Sequence, residues 1–253
     1  MGTIRVHRWG RGKPVVMLHG WTMAGDIWAP VAERLNATCL APDLPAHGGT
    51  TGYQASIDGS VELLDDLLER ENLRDVTLVG WSLGALVGWS ALSKGAGRIA
   101  RMVSVDMSPC PLPTPGWAYT MLGLTTAKAL TVPTDWARAT HAIARTMFAA
   151  PEGCAEMSAH QAEMRIAAND PAAMADLWHS LCQCDLREAI RSLPVPLLAI
   201  HGAESKVYPV ETAAWLERSA PQAKSIVIPD AGHSPNLEQP EAFARVVAAF
   251  MGI

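Results

Sequence analysis

The chain has 253 residues, 49% of them hydrophobic, enough for one large core rather than two full domains. Its formal charge of −5 comes from 20 basic and 25 acidic residues interspersed along the chain, so nothing favours a nucleic-acid partner. The opening stretch lacks the apolar core of a signal peptide, and no apolar run approaches the roughly 18 residues of a membrane span. Five scattered cysteines fit reduced thiols, so a cytoplasmic protein without a membrane partner is expected. Two of them, Cys182 and Cys184, stand near His179, but the spacing is not that of a zinc site and no metal is expected.

Thr3 to Trp9 alternates loosely and runs into the turn Gly10-Arg11-Gly12-Lys13-Pro14, which predicts an edge strand and a hairpin. Val15 to Leu18 is a short apolar run of the kind buried on both faces of a parallel sheet, and it ends at His19-Gly20-Trp21. Ile27, Trp28, Val31 and Leu35 then recur at helical spacing, Thr38 to Ala41 reads as a strand, and Ile57, Val61, Leu64 and Leu68 mark a second helix. Val76 to Val79, Met102 to Val105, Leu197 to Ile200 and Ser225 to Ile228 repeat the strand pattern with helical pattern between them. Such alternation predicts a mostly parallel sheet with helices on both faces.

Some ninety residues break the alternation between Val105 and Leu197. Prolines at 109, 111, 113 and 115 lead into this stretch and Pro194 and Pro196 lead out, as expected for stiff crossings to a separate helical layer. Residues 109–193 are therefore expected to form a helical cap, and 1–108 with 194–253 the core domain. The best cap helix is expected to start at Thr134 as N-cap, with Trp136, Thr140, Ile143 and Met147 on one face and Arg138, His141 and Arg145 on the other. Trp117, Met147 and Phe148 are candidates for the cap wall of a pocket, since adaptable apolar side chains suit flexible acyl chains.

The chemistry centres on Gly80-Trp81-Ser82-Leu83-Gly84, where a strand meets a helix. Two glycines flanking Ser82 allow a turn tight enough to present its hydroxyl at the strand tip. A serine needs a base, and His233, in the loop after the last strand, is the best of eight histidines. His19 and His47 are expected to shape loops instead. An oxyanion would be held by the backbone N–H groups of Leu83 and Trp21, and the Trp21 and Trp81 rings are candidates to line the acyl slot.

Together His19-Gly20-Trp21, Asp43-Leu44-Pro45-Ala46-His47-Gly48, Gly80-Trp81-Ser82-Leu83-Gly84 and Ala231-Gly232-His233 resemble the α/β-hydrolase superfamily. The resemblance implies an α/β-hydrolase fold with the cap inserted after the strand that the family counts as its sixth. At finer grain, His19-Gly20-Trp21 with Gly80 to Gly84 and Ser108-Pro109-Cys110 is similar to the pimeloyl-acyl-carrier-protein methyl ester esterases of biotin synthesis. That likeness implies a carboxylic ester substrate, no cofactor, and an acyl carrier protein as a partner for Arg138, His141 and Arg145. The family's usual acid position holds Ser205. Two carboxylates can take its place: Glu204 beside it, or Asp106 after the Met102 to Val105 strand, an arrangement that resembles some small esterases of the superfamily. Asp106 is favoured because Glu204 is one residue out of register, with Ser205 adding a hydrogen bond. Thioesterase, lactonase and perhydrolase chemistry use the same groups, and a non-catalytic ligand receptor is the alternative from another class.

Overall fold

The structure is a computed structural model and describes residues 2–131 and 135–253. Seven strands form one sheet in the order β1-β3-β2-β4-β5-β6-β7: β1 Val6–Trp9, β2 Lys13–Leu18, β3 Ala37–Pro42, β4 Val76–Trp81, β5 Ile99–Val105, β6 Leu197–Gly202 and β7 Ala223–Ile228. All neighbours run parallel except β1, which pairs antiparallel with β3, Val6 opposite Pro42 and Trp9 opposite Cys39. β1 is thus the edge strand expected, but it forms no hairpin with β2. Gly10 and Gly12, both at positive φ, send the chain past β3 before β2 begins. The strand counted sixth in the family is the fifth here, and the long insertion follows it.

The sheet is apolar on both faces because successive side chains alternate. Val16, Leu18 and Leu78 join one buried cluster, while Val15, Met17 and Val79 join the other. On the first face lie α2 (Ile57–Arg70) and α3 (Leu83–Ser93). α3 is buried nearly all round, Trp89 fully so, and each such large apolar side chain contributes on the order of 2 kcal/mol. On the second face a 3₁₀ turn Gly25–Trp28 runs into α1 (Ala29–Ala32), so the expected helix from Ile27 to Leu35 is short and mixed.

Between β5 and β6 the described residues contain α4 (Thr126–Thr131), α5 (Trp136–Thr146), α6 (Ala159–Ala167), α7 (Pro171–Cys182) and α8 (Arg187–Arg191). Thr134, expected to cap α5, lies outside the described residues; the Asp135 carboxylate accepts from the Arg138 N–H at 3.3 Å in that role. After β6 come α9 (Glu211–Ser219), then β7, α10 (Pro235–Glu238) and α11 (Pro240–Met251). Among the described residues no helix is long and apolar enough to cross a membrane.

Candidate active site

Ser82 stands between β4 and α3 at φ 52° and ψ −116°, a conformation that costs a non-glycine residue about 1–3 kcal/mol. The neighbours explain how it persists. A Cβ on Gly80 would collide with the Gly84 carbonyl, and one on Gly84 with the Leu18 carbonyl of β2. The Ser82 N–H donates to Val105 O at 2.9 Å, pinning the turn to the end of β5. Its hydroxyl makes no hydrogen bond among the described residues and opens into a cavity that His233 also lines.

His233 is held from two sides. Its Nδ1–H donates to Asp106 Oδ1 at 2.8 Å, and its carbonyl accepts the Trp81 indole N–H at 2.7 Å. Asp106 is wholly buried just past β5, at φ 43°. The same Oδ1 accepts the Ser205 hydroxyl at 2.8 Å, and Oδ2 accepts the Gly202 N–H at 3.1 Å. Burial works to raise this carboxyl, but the hydrogen bond and charge of His233, then His201 and the Ser205 hydroxyl, outweigh it and hold Asp106 below the usual carboxylate range. With Asp106 ionised, His233 is fixed in the tautomer that leaves Nε2 free as a base. Glu204 is exposed, and only its backbone N–H is engaged, on Ala231 O at 2.9 Å. Of the two candidate acids, Asp106 is therefore the one paired with His233.

The loop after β2 brings Trp21 beside Ser82. His47 Nε2 accepts the Thr22 N–H at 3.1 Å, and His19 Nε2 accepts the Leu44 N–H at 2.9 Å. Burial lowers His19 to about 4 and His47 to about 3, so both stay neutral and keep a ring nitrogen to accept with. These two histidines hold the loop rather than act in it. The Trp21 indole N–H reaches Met174 O in α7 at 3.1 Å, tying the same loop to the inserted helices. Leu83 is the first residue of α3, where a backbone N–H has no acceptor within the helix.

The cavity measures about 610 Å³, a size that suits a small organic ligand. Gly20, Trp21, Trp81, Ser82 and His233 form its sheet side; Met121, Leu124, Ile143, Met147, Trp178 and Leu181 form much of the other. Trp21, Trp81 and Met147 thus lie where the sequence suggests. Two other expected wall residues do not. Trp117 donates its indole N–H to Cys110 O at 2.9 Å and packs edge-on against Trp215 at 4.7 Å, held outside the cavity by that pairing. Phe148 is fully buried in the cluster shared with Trp28 and Phe243. The basic face of α5 also divides. Arg138 lines the cavity, whereas Arg145 donates to His141 Nε2 at 3.2 Å and His141 bonds Glu163 at 3.2 Å, away from it. Val207, which lines the cavity just after Ser205, carries no sequence signal of that role. Among the described residues no cluster of histidine, cysteine and carboxylate side chains is placed to hold a metal ion.

A model of the alpha/beta hydrolase family matches residues 15–246, nearly the whole of this architecture. The chain belongs to the alpha/beta hydrolase family. Among its relatives is a pimeloyl-[acyl-carrier protein] methyl ester esterase from Nitrosomonas europaea, 27% identical over 249 residues, covering 96% of this chain and 97% of the relative. An esterase of the same name from Aromatoleum aromaticum is 29% identical over 246 residues, covering 92% and 96%. A solved esterase from Exiguobacterium antarcticum superposes with a TM-score of 0.90 at 19% identity over 100% of this chain and 96% of its own. At that identity the likeness speaks for the fold.

Proposed function

We propose that this hydrolase is a serine carboxylesterase acting through an acyl-enzyme, with Ser82 as nucleophile, His233 as base and Asp106 as the acid. The observation that carries it is the 2.8 Å bond from His233, which lines the cavity onto which Ser82 opens, to a buried, ionised Asp106 behind it. Ser82 Oγ attacks the ester carbonyl carbon while His233 Nε2 takes its proton, and the oxyanion is received by the Trp21 and Leu83 N–H groups. The imidazolium, stabilised by Asp106, gives the proton to the departing alcohol. Water then repeats the sequence in reverse, His233 taking its proton as it attacks the acyl-serine, and the carboxylic acid leaves. The nucleophile of the first step, the base, the acid and the oxyanion donors in this sequence all belong to the chain.

Residues 109–193 act as a cap whose α5 and α7 shape the acyl pocket. An apolar wall with Arg138 in it favours a medium-length acyl chain that carries negative charge away from the ester, and the names of the relatives favour a methyl ester on a carrier-bound chain. His141, engaged with Glu163, and Arg145, engaged with His141, contribute less to such a partner than Arg138.

Hydrolysis of p-nitrophenyl esters from acetyl to dodecanoyl by the wild type and by Ser82→Ala tests the proposal. Turnover that vanishes in the variant supports it, and the chain-length optimum sizes the pocket. Absence of turnover at every length, and on a pimeloyl methyl ester carried by acyl carrier protein, overturns it.

A further inference from the structure

Glu238 ends α10 and takes no part in the chemistry above, yet its carboxylate is shared by two regions far apart in sequence. Oε1 accepts the Gly232 N–H at 2.8 Å and the Ser234 N–H at 3.3 Å, the residues on either side of His233. Oε2 accepts the Ala149 N–H at 2.7 Å, just beyond α5. Lys206 grips the same segment from the β6 side, donating to Phe148 O at 3.0 Å and Ala149 O at 2.8 Å. The two backbones are in direct contact, because a Cβ on Gly232 would lie 2.6 Å from Ala149 N. Met147, two residues before Ala149, lines the cavity. Three N–H donors converging on one carboxylate suit an acceptor-only group, and a glutamine amide would turn one of those bonds into a clash of donors.

We infer that Glu238 is a positioning residue for His233: it fixes the peptide on both sides of the histidine and fastens it to the end of α5, so the imidazole is held over Ser82 only while the inserted helices are seated. The inference rests on the proposed roles of Ser82 and His233. It adds a coupling between substrate wall and base that the three-residue constellation lacks. Burial raises the Glu238 carboxyl, against the pull of its three N–H partners and of the nearby His233 charge. That proximity supplies a readout beyond stability.

The test compares wild type, Glu238→Gln, Lys206→Met and Ser82→Ala on p-nitrophenyl butyrate across pH. The titratable groups facing His233 are Asp106, His201 and Tyr208; Ser205 bonds Asp106 rather than the ring, and Cys154 stands against Glu238. None of these changes between the first three proteins. Glu238→Gln should lower kcat by about tenfold to a hundredfold with KM within about threefold, as expected when a base is displaced by a fraction of an ångström. The acid limb of kcat/KM should also move to lower pH, because a negative charge that favours the imidazolium has gone. Lys206→Met frees the same end of α5 but leaves the His233 loop bonded. It should alter KM and chain-length preference and leave the acid limb in place. A Glu238→Gln enzyme with kcat within about twofold of wild type, or one that matches Lys206→Met in kcat, KM and acid limb, overturns the inference. If wild-type turnover survives in Ser82→Ala, the esterase proposal falls instead. Titration of the labelled His233 ring by NMR in wild type and Glu238→Gln then decides the role of Glu238 alone, and an unchanged midpoint overturns it.

Discussion

The two walls of the cavity are held in different ways. On the sheet side the groups proposed for chemistry are fixed by short polar contacts: His233 by Asp106 and Trp81, Asp106 by Ser205 and Gly202, the Trp21 loop by His47. On the inserted side Ile143, Met147 and Trp178 meet the cavity through apolar surface. Polar contacts are directional, and a lost partner leaves a buried group unsatisfied. Apolar contacts are short-ranged but undirected, so the wall can repack around a change of volume. One side should therefore be brittle and set whether the reaction runs, while the other should be plastic and set which acyl chain enters.

The largest break in the comparison is expected from Asp106→Asn. Replacing the buried acceptor removes the charge that fixes the His233 tautomer, and kcat should fall by about 10⁴ with KM little changed; Glu204→Gln, at an exposed position, should stay near wild type. A reversal of the two in steady-state kinetics would assign the acid to Glu204.

A second effect concerns pH. His47 remains neutral in the fold down to about 3, whereas unfolded it takes a proton near 6.5. The unfolded chain thus binds more protons, so this contribution is complete above about pH 6.5 and is lost as pH falls toward 3. His47→Gln should lower stability at neutral pH. Below pH 6.5 its gap to wild type should narrow by about 1.4 kcal/mol per pH unit, read from urea unfolding. A gap independent of pH would mean that His47 is not buried neutral.

Ser205→Ala should cost about tenfold in kcat, since Asp106 keeps its bonds to His233 and Gly202 and loses one of three. The smallest effect belongs to the plastic side. Ile143→Ala should change kcat/KM on any one ester by less than about tenfold while moving the chain-length optimum upward. Loss of all activity in that variant would show that the inserted wall is as brittle as the sheet side.

What could be seen in the sequence follows the range of the interaction involved. The Ser82 turn was legible because its requirement is local: Gly80 and Gly84 stand two residues away and act by sterics alone. The Asp106 assignment was legible only as a choice between two carboxylates, since it depends on a partner 127 residues distant. On α5, helical spacing put Arg138 with His141 and Arg145, yet Arg138 faces the cavity, because its outlook is set by packing between segments and not by spacing within α5. Trp117 misled for the same reason: its pairing with Trp215 of α9 bridges segments that periodicity treats separately.

By itself, then, the sequence determined the succession of strands and helices, the strained serine turn and the histidine loop, all of which rest on steric and periodic constraints spanning a few residues. Only the tertiary structure decided that β1 joins β3 rather than β2, that Asp106 and Ser205 meet on the adjacent ends of β5 and β6, and which side chains wall the cavity. Each of these depends on the lateral order of strands and on how the helices settle upon them. Backbone pairing and side-chain packing set that order collectively, over distances that no local pattern records.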